Sequence, residues 1–142
     1  DEIIHRMYSY TYHATLEDVG GVAGATEELS GSMKLFAIQN GRTYGGGFPI
    51  TPDASPTDGL VNICIASGDI SKPTTLVTFA KATKGKHVNS PYVSFRTARR
   101  VHLSFDESEH GAPACQFDGE ACTASEFDIE VLPQELKVLC GV

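Results

Sequence analysis

The sequence has 142 residues, of which 41% are hydrophobic and 20% are charged, as is typical of a soluble globular protein with one domain. Its formal net charge of −7 argues against a nucleic-acid-binding function, because phosphate binding requires a surplus of Lys and Arg. No stretch approaches the ~20 apolar residues of a membrane-spanning helix, and the N-terminus has no signal-peptide pattern. The chain begins with Asp1, and we expect it to be a fragment of a longer protein.

Residues 1–18 carry two competing periodicities. Four side chains recur at helical spacing: Ile3, Met7, Tyr10 and Ala14. Three tyrosines alternate as they would in a strand: Tyr8, Tyr10 and Tyr12. We predict a helix that ends before Gly20-Gly21, followed by a small, polar loop over 20–32.

The next segment carries strand and turn signals. The apolar run 34–38 is followed by Asn40-Gly41, which locally predicts a hairpin with a return strand that starts at 42–44. The apolar, β-branched run 60–66 predicts a buried strand.

A helix signal follows this strand. Ser71 and Pro73 mark a helix start, so we predict a helix over about 73–84 that ends at Gly85. One face of this helix carries four residues: Leu76, Phe79, Ala80 and Thr83.

The last third of the chain predicts short strands. Residues 91–105 fit one or two of them, with alternate residues facing the core: Val101, Leu103 and Phe105 on one side, His102 and Ser104 on the other. Further strands are predicted at 114–117, 127–131 and 134–140. We find no repeat and no linker, so the sequence predicts a single mainly β domain over 1–142, an antiparallel β-sandwich with one central helix and an N-terminal helix.

Four cysteines show no Cys-x-x-Cys or Cys/His spacing of a zinc site: Cys64, Cys115, Cys122 and Cys140. Most lie in apolar or strand-like surroundings, which favours buried free thiols. A reducing cytoplasm suits this pattern.

Two loops could bind a ligand. Asp58 with nearby carbonyls could hold Mg²⁺, although Asp53 and Asp58 could instead satisfy loop amides as Asx-turns, which is the favoured interpretation from composition alone. Gly45, Gly46 and Gly47 could cradle a phosphate, but neither a helix nor a Lys-Ser/Thr pair follows, so a bulge or tight crossing is favoured.

The sequence Asp118-Gly119-Glu120 also has two interpretations. It fits a plain turn in which Gly119 adopts a positive φ, or a rigid turn from which a carboxylate acts as a general base toward a hydroxyl. Downstream, Glu126, Asp128 and Glu130 alternate with apolar residues and predict a solvated strand face rather than a cation site.

Basic side chains are concentrated in one stretch of the sequence. They could hold an anionic headgroup or a phosphate locally: Lys81, Lys84, Lys86, His87, Arg96, Arg99 and Arg100.

Several motifs occur in a specific order from about residue 34 to the end. They are Gly-Gly-Gly-Phe at 45–48, Pro-Asp-Ala-Ser-Pro-Thr-Asp-Gly-Leu at 52–60, the helix ending in Gly-Lys-His at 85–87, Arg-Arg-Val at 99–101, Asp-Gly-Glu at 118–120 and Ile-Glu-Val-Leu-Pro at 129–133. In this order they resemble the C-terminal half of a bacterial diacylglycerol kinase-like lipid kinase, related to sphingosine kinases and more distantly to NAD kinases.

This resemblance implies a role for each loop. Glu120 would be the base that takes the proton from the lipid hydroxyl, and Asp118 would orient or assist it. Asp58, with the carbonyls of Leu60 and Ser55, would hold a structural Mg²⁺. The backbone of 45–47 would line the cleft, and Asn40-Gly41 would end a strand instead of forming a hairpin.

The resemblance also implies partners. An N-terminal domain with a Gly-Gly-Asp-Gly-Thr motif, absent from this sequence, would bind most of the ATP, so the fragment alone would be inactive. A lipid alcohol would be the substrate, and peripheral membrane contact and a homodimer are compatible with this. The alternative is a non-catalytic β-sandwich that binds a ligand or a partner, with Asp-Gly-Glu as a turn.

Overall fold

The computed structural model describes residues 8–135. In chain order its elements are β1 (Tyr10–Glu17), β2 (Thr26–Gln39), β3 (Val61–Ser67), α1 (Lys72–Ala82), β4 (Val93–Ala98), β5 (Arg100–Phe105), β6 (Cys115–Phe117), β7 (Glu120–Cys122) and β8 (Glu126–Glu130). Single 3-10 turns lie at Val19–Gly21 and Lys86–Asn89.

Six strands form one antiparallel sheet in the order β4-β3-β2-β1-β5-β8, and β6 and β7 form a separate two-stranded sheet. Every pairing between these strands is antiparallel. The prediction of a mainly antiparallel β domain with one central helix is therefore confirmed.

The core lies on both faces of β3. On one face, Ile63 packs with Leu16 of β1 and Val101 of β5, all fully buried. On the other face, Cys64 packs with Ala82 of α1 and Ile50 of the preceding loop. Because both faces are covered, β3 is mostly apolar without polar–apolar alternation, which explains why it was predictable from sequence.

The predicted N-terminal helix is wrong where the structure describes it. Residues 10–17 form β1, which pairs with β2 on one edge and β5 on the other. Its side chains alternate, so Tyr12, Ala14 and Leu16 are buried. Hydrogen bonding along both edges outweighs the helical spacing of the apolar residues. Residues 1–7 lie outside the described part of the chain.

Only the first part of the predicted loop over 20–32 is a loop. From Thr26 the chain is already in β2, and Leu29 stands opposite Ala14 of β1. The sequence of this part of β2 is typical of a loop because its side chains are mostly small and polar. Glu27, for example, accepts a 2.9 Å hydrogen bond from Arg96 Nε instead of entering the core.

The hairpin predicted at Asn40-Gly41 is also wrong. β2 ends at Gln39 and pairs with β1 and β3, while 42–44 form no return strand. Both edges of β2 are already occupied, so a return strand has no place to pair. The strand predicted at 60–66 is confirmed as β3, and those at 91–105, 114–117 and 127–131 as β4, β5, β6 and β8. Residues 136–140 of the strand predicted over 134–140 lie outside the described part of the chain.

The helix predicted at 73–84 is confirmed as α1. Ser71 is its N-cap and accepts a 3.3 Å hydrogen bond from the Thr74 amide. Gly85, with a φ of 67°, follows its end, in the left-handed conformation that glycine adopts without strain.

The prediction of buried cysteines holds for one of the three that the structure describes. Cys64 is buried, whereas Cys115 and Cys122 are only half-buried. Both lie in the short two-stranded sheet, where neither face is fully covered. Cys140 lies outside the described residues.

Candidate functional site

The triple glycine forms an exposed turn. Tyr44 and Phe48 bond to each other through both of their backbone amides, at 2.7 and 3.0 Å, and so close the loop. Gly45 and Gly47 have φ values of 51° and 96°, which side chains rarely tolerate. A Cβ at any of these three glycines would meet no atom within 4 Å. Backbone shape therefore requires glycine at positions 45 and 47, and the three glycines leave open space above the turn.

Residues 40–60, which we call the site loop, are anchored by partly buried polar contacts. The hydroxyl of Thr51 lies 2.8 Å from both the Gly41 carbonyl oxygen and the side-chain oxygen of Gln39. Arg42 Nε donates to the Ala54 carbonyl at 3.2 Å. Since Thr51 and Ala54 are also buried, these contacts anchor the segment between the glycine turn and Asp58.

Asp58 forms the Asx-turn that was one of its two interpretations. Its Oδ1 accepts a 2.9 Å hydrogen bond from the Leu60 amide, and Gly59 between them has a φ of 75°. This holds the exposed carboxylate beside the Leu60 backbone. Ser55 lies in the same loop, with its hydroxyl 3.2 Å from that of Thr57. Among the described residues, no group of three or more His, Cys, Asp and Glu side chains could hold a metal, so a cation here would depend on one carboxylate and on carbonyls.

Asp118 and Gly119 form the two-residue turn between β6 and β7. Their φ values are 46° and 89°, and two consecutive positive φ values are typical of a hairpin turn with a right-handed twist. Phe117 and Glu120 form the last cross-strand pair. Glu120 is exposed at the first position of β7, so its carboxylate is presented by a fixed turn.

The hairpin that carries this turn packs on the main sheet through an aromatic contact. The rings of Phe117 and Phe127 have centroids 5.6 Å apart. At its base, Cys115 stands opposite Cys122, and burial raises the pKa of Cys115, with a smaller contribution from Cys122. The two thiols are therefore adjacent.

The acidic face predicted on the last strand is solvated. Arg100 bonds Glu130 at 2.9 Å and Glu17 at 3.1 Å. The ring of His102 lies 2.8 Å from Asp128 and 3.1 Å from Glu126, and the hydrogen bond to Asp128 raises the pKa of His102. These carboxylates therefore pair with basic side chains of β5 and do not form an unpaired acidic cluster.

The basic stretch of the sequence does not form one anion site. Arg96 and Arg100 are paired with carboxylates, and His87 is buried. The lysines of the stretch remain exposed. Their arrangement depends on how α1 is oriented, which the sequence did not reveal.

Within residues 8–135, no hydrogen bond or ion pair joins the glycine turn, the Asx-turn of Asp58 and the Asp-Gly-Glu turn to one another. Sequence reasoning also missed Asn62, which is buried with an unpartnered Nδ2. Its only signal was a polar residue inside an apolar run. No helix in the described part of the chain is long and apolar enough to cross a membrane.

Comparison with known families gives one match over most of the chain. The family model described as the YegS C-terminal NAD kinase beta sandwich-like domain matches residues 7–140. The chain is 34% identical over 118 residues to a Mycobacterium tuberculosis protein named diacylglycerol kinase. It is 28% identical over 117 residues to a Yersinia enterocolitica protein named probable lipid kinase YegS-like. These matches cover 83% and 82% of the chain but only 36% of each relative.

Solved structures agree on the fold. Two structures of a putative diacylglycerol kinase from Bacillus anthracis superpose with TM-scores of 0.58 and 0.57, at 18% and 17% identity. They cover 93% and 90% of this chain, and the chain covers 41% and 37% of them. The same fold therefore occurs in proteins of distant sequence.

Proposed function

The chain belongs to the family of YegS C-terminal NAD kinase beta sandwich-like domains, and on that premise we propose that it is the C-terminal domain of an ATP-dependent kinase for the hydroxyl of diacylglycerol or a related lipid. The observation that carries this proposal is its kinship with proteins named diacylglycerol kinase and lipid kinase. The exposed Asp-Gly-Glu turn supports it, because a base must be presented to substrate by a rigid element.

Glu120 is the proposed general base. The lipid hydroxyl oxygen forms a bond to the γ-phosphorus while the bond from that phosphorus to the ADP oxygen breaks, and the hydroxyl proton passes to the Glu120 carboxylate. Asp118, two positions earlier in the same turn, orients or assists this carboxylate. The positive φ values of Asp118 and Gly119 fix the direction in which β7 leaves the turn.

Asp58 is the proposed charged ligand of a structural Mg²⁺. Its carboxylate is held beside Leu60 by the Asx-turn, and oxygen donors are those that Mg²⁺ prefers. The carbonyls of Leu60 and Ser55 are the further proposed ligands, with water completing the shell. When bound, the ion would neutralise Asp58 and stiffen the site loop, and the backbone of Gly45, Gly46 and Gly47 would line the cleft for ATP.

The proposal includes partners beyond this chain. The chain spans 36% of its relatives, and an N-terminal domain with the nucleotide motif is proposed to bind most of the ATP. By itself the chain is expected to be inactive, because no Gly-Gly-Asp-Gly-Thr occurs in it. We place the enzyme in the cytoplasm, with peripheral contact to the membrane that holds its substrate. A homodimer is compatible with this arrangement.

Replacement of the base tests the proposal. In the full-length protein, Glu120→Gln is expected to lower phosphate transfer from radiolabelled ATP to diacylglycerol on the order of 10²–10⁴-fold, with an unchanged circular dichroism spectrum. Glu109→Gln, in an exposed loop, is the matched control and should retain activity. Near-normal rates for Glu120→Gln would remove Glu120 from the mechanism. A wild-type protein that phosphorylates no lipid alcohol would favour the non-catalytic binding module.

A further inference from the structure

Helix α1 is oriented with its small polar residues toward the sheet. Thr75 and Thr78 are buried, and Ala82 packs against Cys64 of β3. Each threonine hydroxyl donates a 2.9 Å hydrogen bond to a carbonyl one turn earlier, those of Ser71 and Thr74. Both hydroxyls are thus satisfied within the helix, and their burial leaves no unpaired donor.

The large apolar side chains of α1 face outward. Leu76 and Val77 are each 53% exposed and Phe79 is 38% exposed. All four residues of the face predicted from the sequence are exposed in the described structure: Leu76, Phe79, Ala80 and Thr83. A contiguous exposed apolar surface of this kind usually marks an interaction site.

Lysines surround this face. All four are exposed: Lys72, Lys81, Lys84 and Lys86. None of them takes part in an ion pair within residues 8–135. No Asp or Glu occurs between Asp69 and Asp106, although the whole chain has a net charge of −7. The helix is thus a local cationic region on an anionic protein.

We propose that the outward face of α1, formed by Leu76, Val77, Phe79 and Ala80 with the four lysines around it, docks on an anionic lipid bilayer. Apolar side chains flanked by lysines bind a bilayer surface by burying the former among acyl chains and placing the latter at anionic headgroups. An acidic membrane would repel most of this protein, so α1 would also set its orientation. The proposal rests on the proposed function, since the substrate of a lipid kinase lies in a bilayer.

Vesicle binding of the full-length protein tests the docking face. The wild type is expected to sediment with vesicles of phosphatidylcholine containing about 30% phosphatidylglycerol, but not with phosphatidylcholine alone, and to be released at about 0.5 M NaCl. Leu76→Gln with Val77→Gln should reduce the bound fraction by about tenfold or more. The matched control is Val22→Gln with Leu132→Gln, which are also exposed apolar side chains and should leave binding unchanged.

A charge variant keeps the test decisive if the apolar variant folds poorly. Lys81→Glu with Lys84→Glu should abolish the preference for anionic vesicles. Wild-type binding by either folded variant would overturn the proposal, as would a wild type that ignores both kinds of vesicle. If another part of the full-length protein covers α1, Leu76→Gln with Val77→Gln would lower stability without changing vesicle binding, which also overturns it.

Two measurements separate failure of docking from failure of the proposed kinase function. Vesicle binding needs no ATP, so Glu120→Gln should bind like the wild type. Activity on a short-chain, water-soluble diacylglycerol needs no bilayer, so the α1 variants should retain it. If only the docking proposal is wrong, the wild type and the α1 variants still phosphorylate the short-chain diacylglycerol. If the proposed kinase function is wrong, none of them does.

Discussion

The Nε2 atom of His87 donates a 2.8 Å hydrogen bond to the backbone carbonyl of Ile50. The carbonyl can only accept, so Nε2 carries a proton, whereas the buried Nδ1 has no partner among the described residues. His87 lies in the 3-10 turn after α1, and Ile50 lies in the site loop. This bond therefore ties the end of the helix to the loop that carries the glycine turn and Asp58.

His87→Leu is expected to destabilise the fold by about 1–3 kcal/mol, because it leaves the buried Ile50 carbonyl without a donor. Urea unfolding gives this free energy, and amide exchange should be faster in the site loop than elsewhere. His13→Leu is the control, since the contact of His13 with Asp106 is exposed and should contribute about 0–1 kcal/mol. Equal losses in the two variants would show that the His87 bond has no special role.

The elements whose sequences carry several agreeing local signals could be predicted from the sequence. β3 is buried on both faces and is apolar at most positions, and α1 has an N-cap at Ser71 and a terminating Gly85. The sequence of β1 carries two conflicting periodicities, and only pairing with β2 and β5 decides for a strand over the predicted helix. Such pairing is a long-range property that a single local window does not contain.

The individual turns of the candidate site could be predicted from the sequence, but their arrangement in space could not. The positive φ at Gly119 was expected, and the Asx-turn of Asp58 was one of two stated interpretations. The outward direction of Leu76 could not be read from helical periodicity, which defines a face but not which side of the helix meets the sheet. The proposed ligand and base roles come from the family resemblance and not from the arrangement of the turns.

The Asx-turn and Mg²⁺ roles of Asp58 can be separated by two substitutions. Asp58→Asn keeps an oxygen for the Leu60 amide but removes the charge, whereas Asp58→Ala removes both. We expect Mg²⁺ to raise the melting temperature of the wild type, since a ligand bound only to the folded state stabilises it, and to have no effect on either variant. Without Mg²⁺, only Asp58→Ala should be less stable.

Asp53→Asn is the control, because Asp53 is an exposed residue of the same loop and is not a proposed ligand. It should keep the response of the wild type to Mg²⁺. A Mg²⁺-dependent shift that persists in Asp58→Asn would exclude Asp58 as the charged ligand.

The stabilisation that His102 provides should depend on pH. Its pKa is raised, chiefly by the hydrogen bond to Asp128, so its interaction stabilises the fold fully below the unfolded pKa of about 6.5 and is lost as the pH rises through the folded pKa. Asp128→Asn should therefore lower the His102 pKa in an NMR titration. The free energy of unfolding of this variant should fall furthest below that of the wild type at about pH 5.5, and the difference should be absent at about pH 8.5. A deficit that does not change with pH would contradict this assignment.

Cys115 and Cys122 stand directly opposite each other at the base of the Asp-Gly-Glu hairpin, and cross-strand pairs lie within the Cα separations that disulfides span. We expect oxidised glutathione to join them: a Cys115–Cys122 disulfide forms, the glutathione disulfide breaks, and two reduced glutathione molecules carry away the two protons. Burial raises the pKa of Cys115, so the reaction should accelerate with increasing pH as the thiolate forms.

Cys64 provides the internal comparison for this oxidation, because burial raises its pKa to about 12 and the side chain is enclosed between β3 and α1. Peptide mapping by mass spectrometry should find Cys115 joined to Cys122 and Cys64 unmodified, and Cys115→Ser should abolish the cross-link. The cross-link should also slow amide exchange at Gly119 and Glu120, since it closes the hairpin below the turn. Faster modification of Cys64 than of Cys115 would show that the thiols of the hairpin are less accessible than the structure indicates.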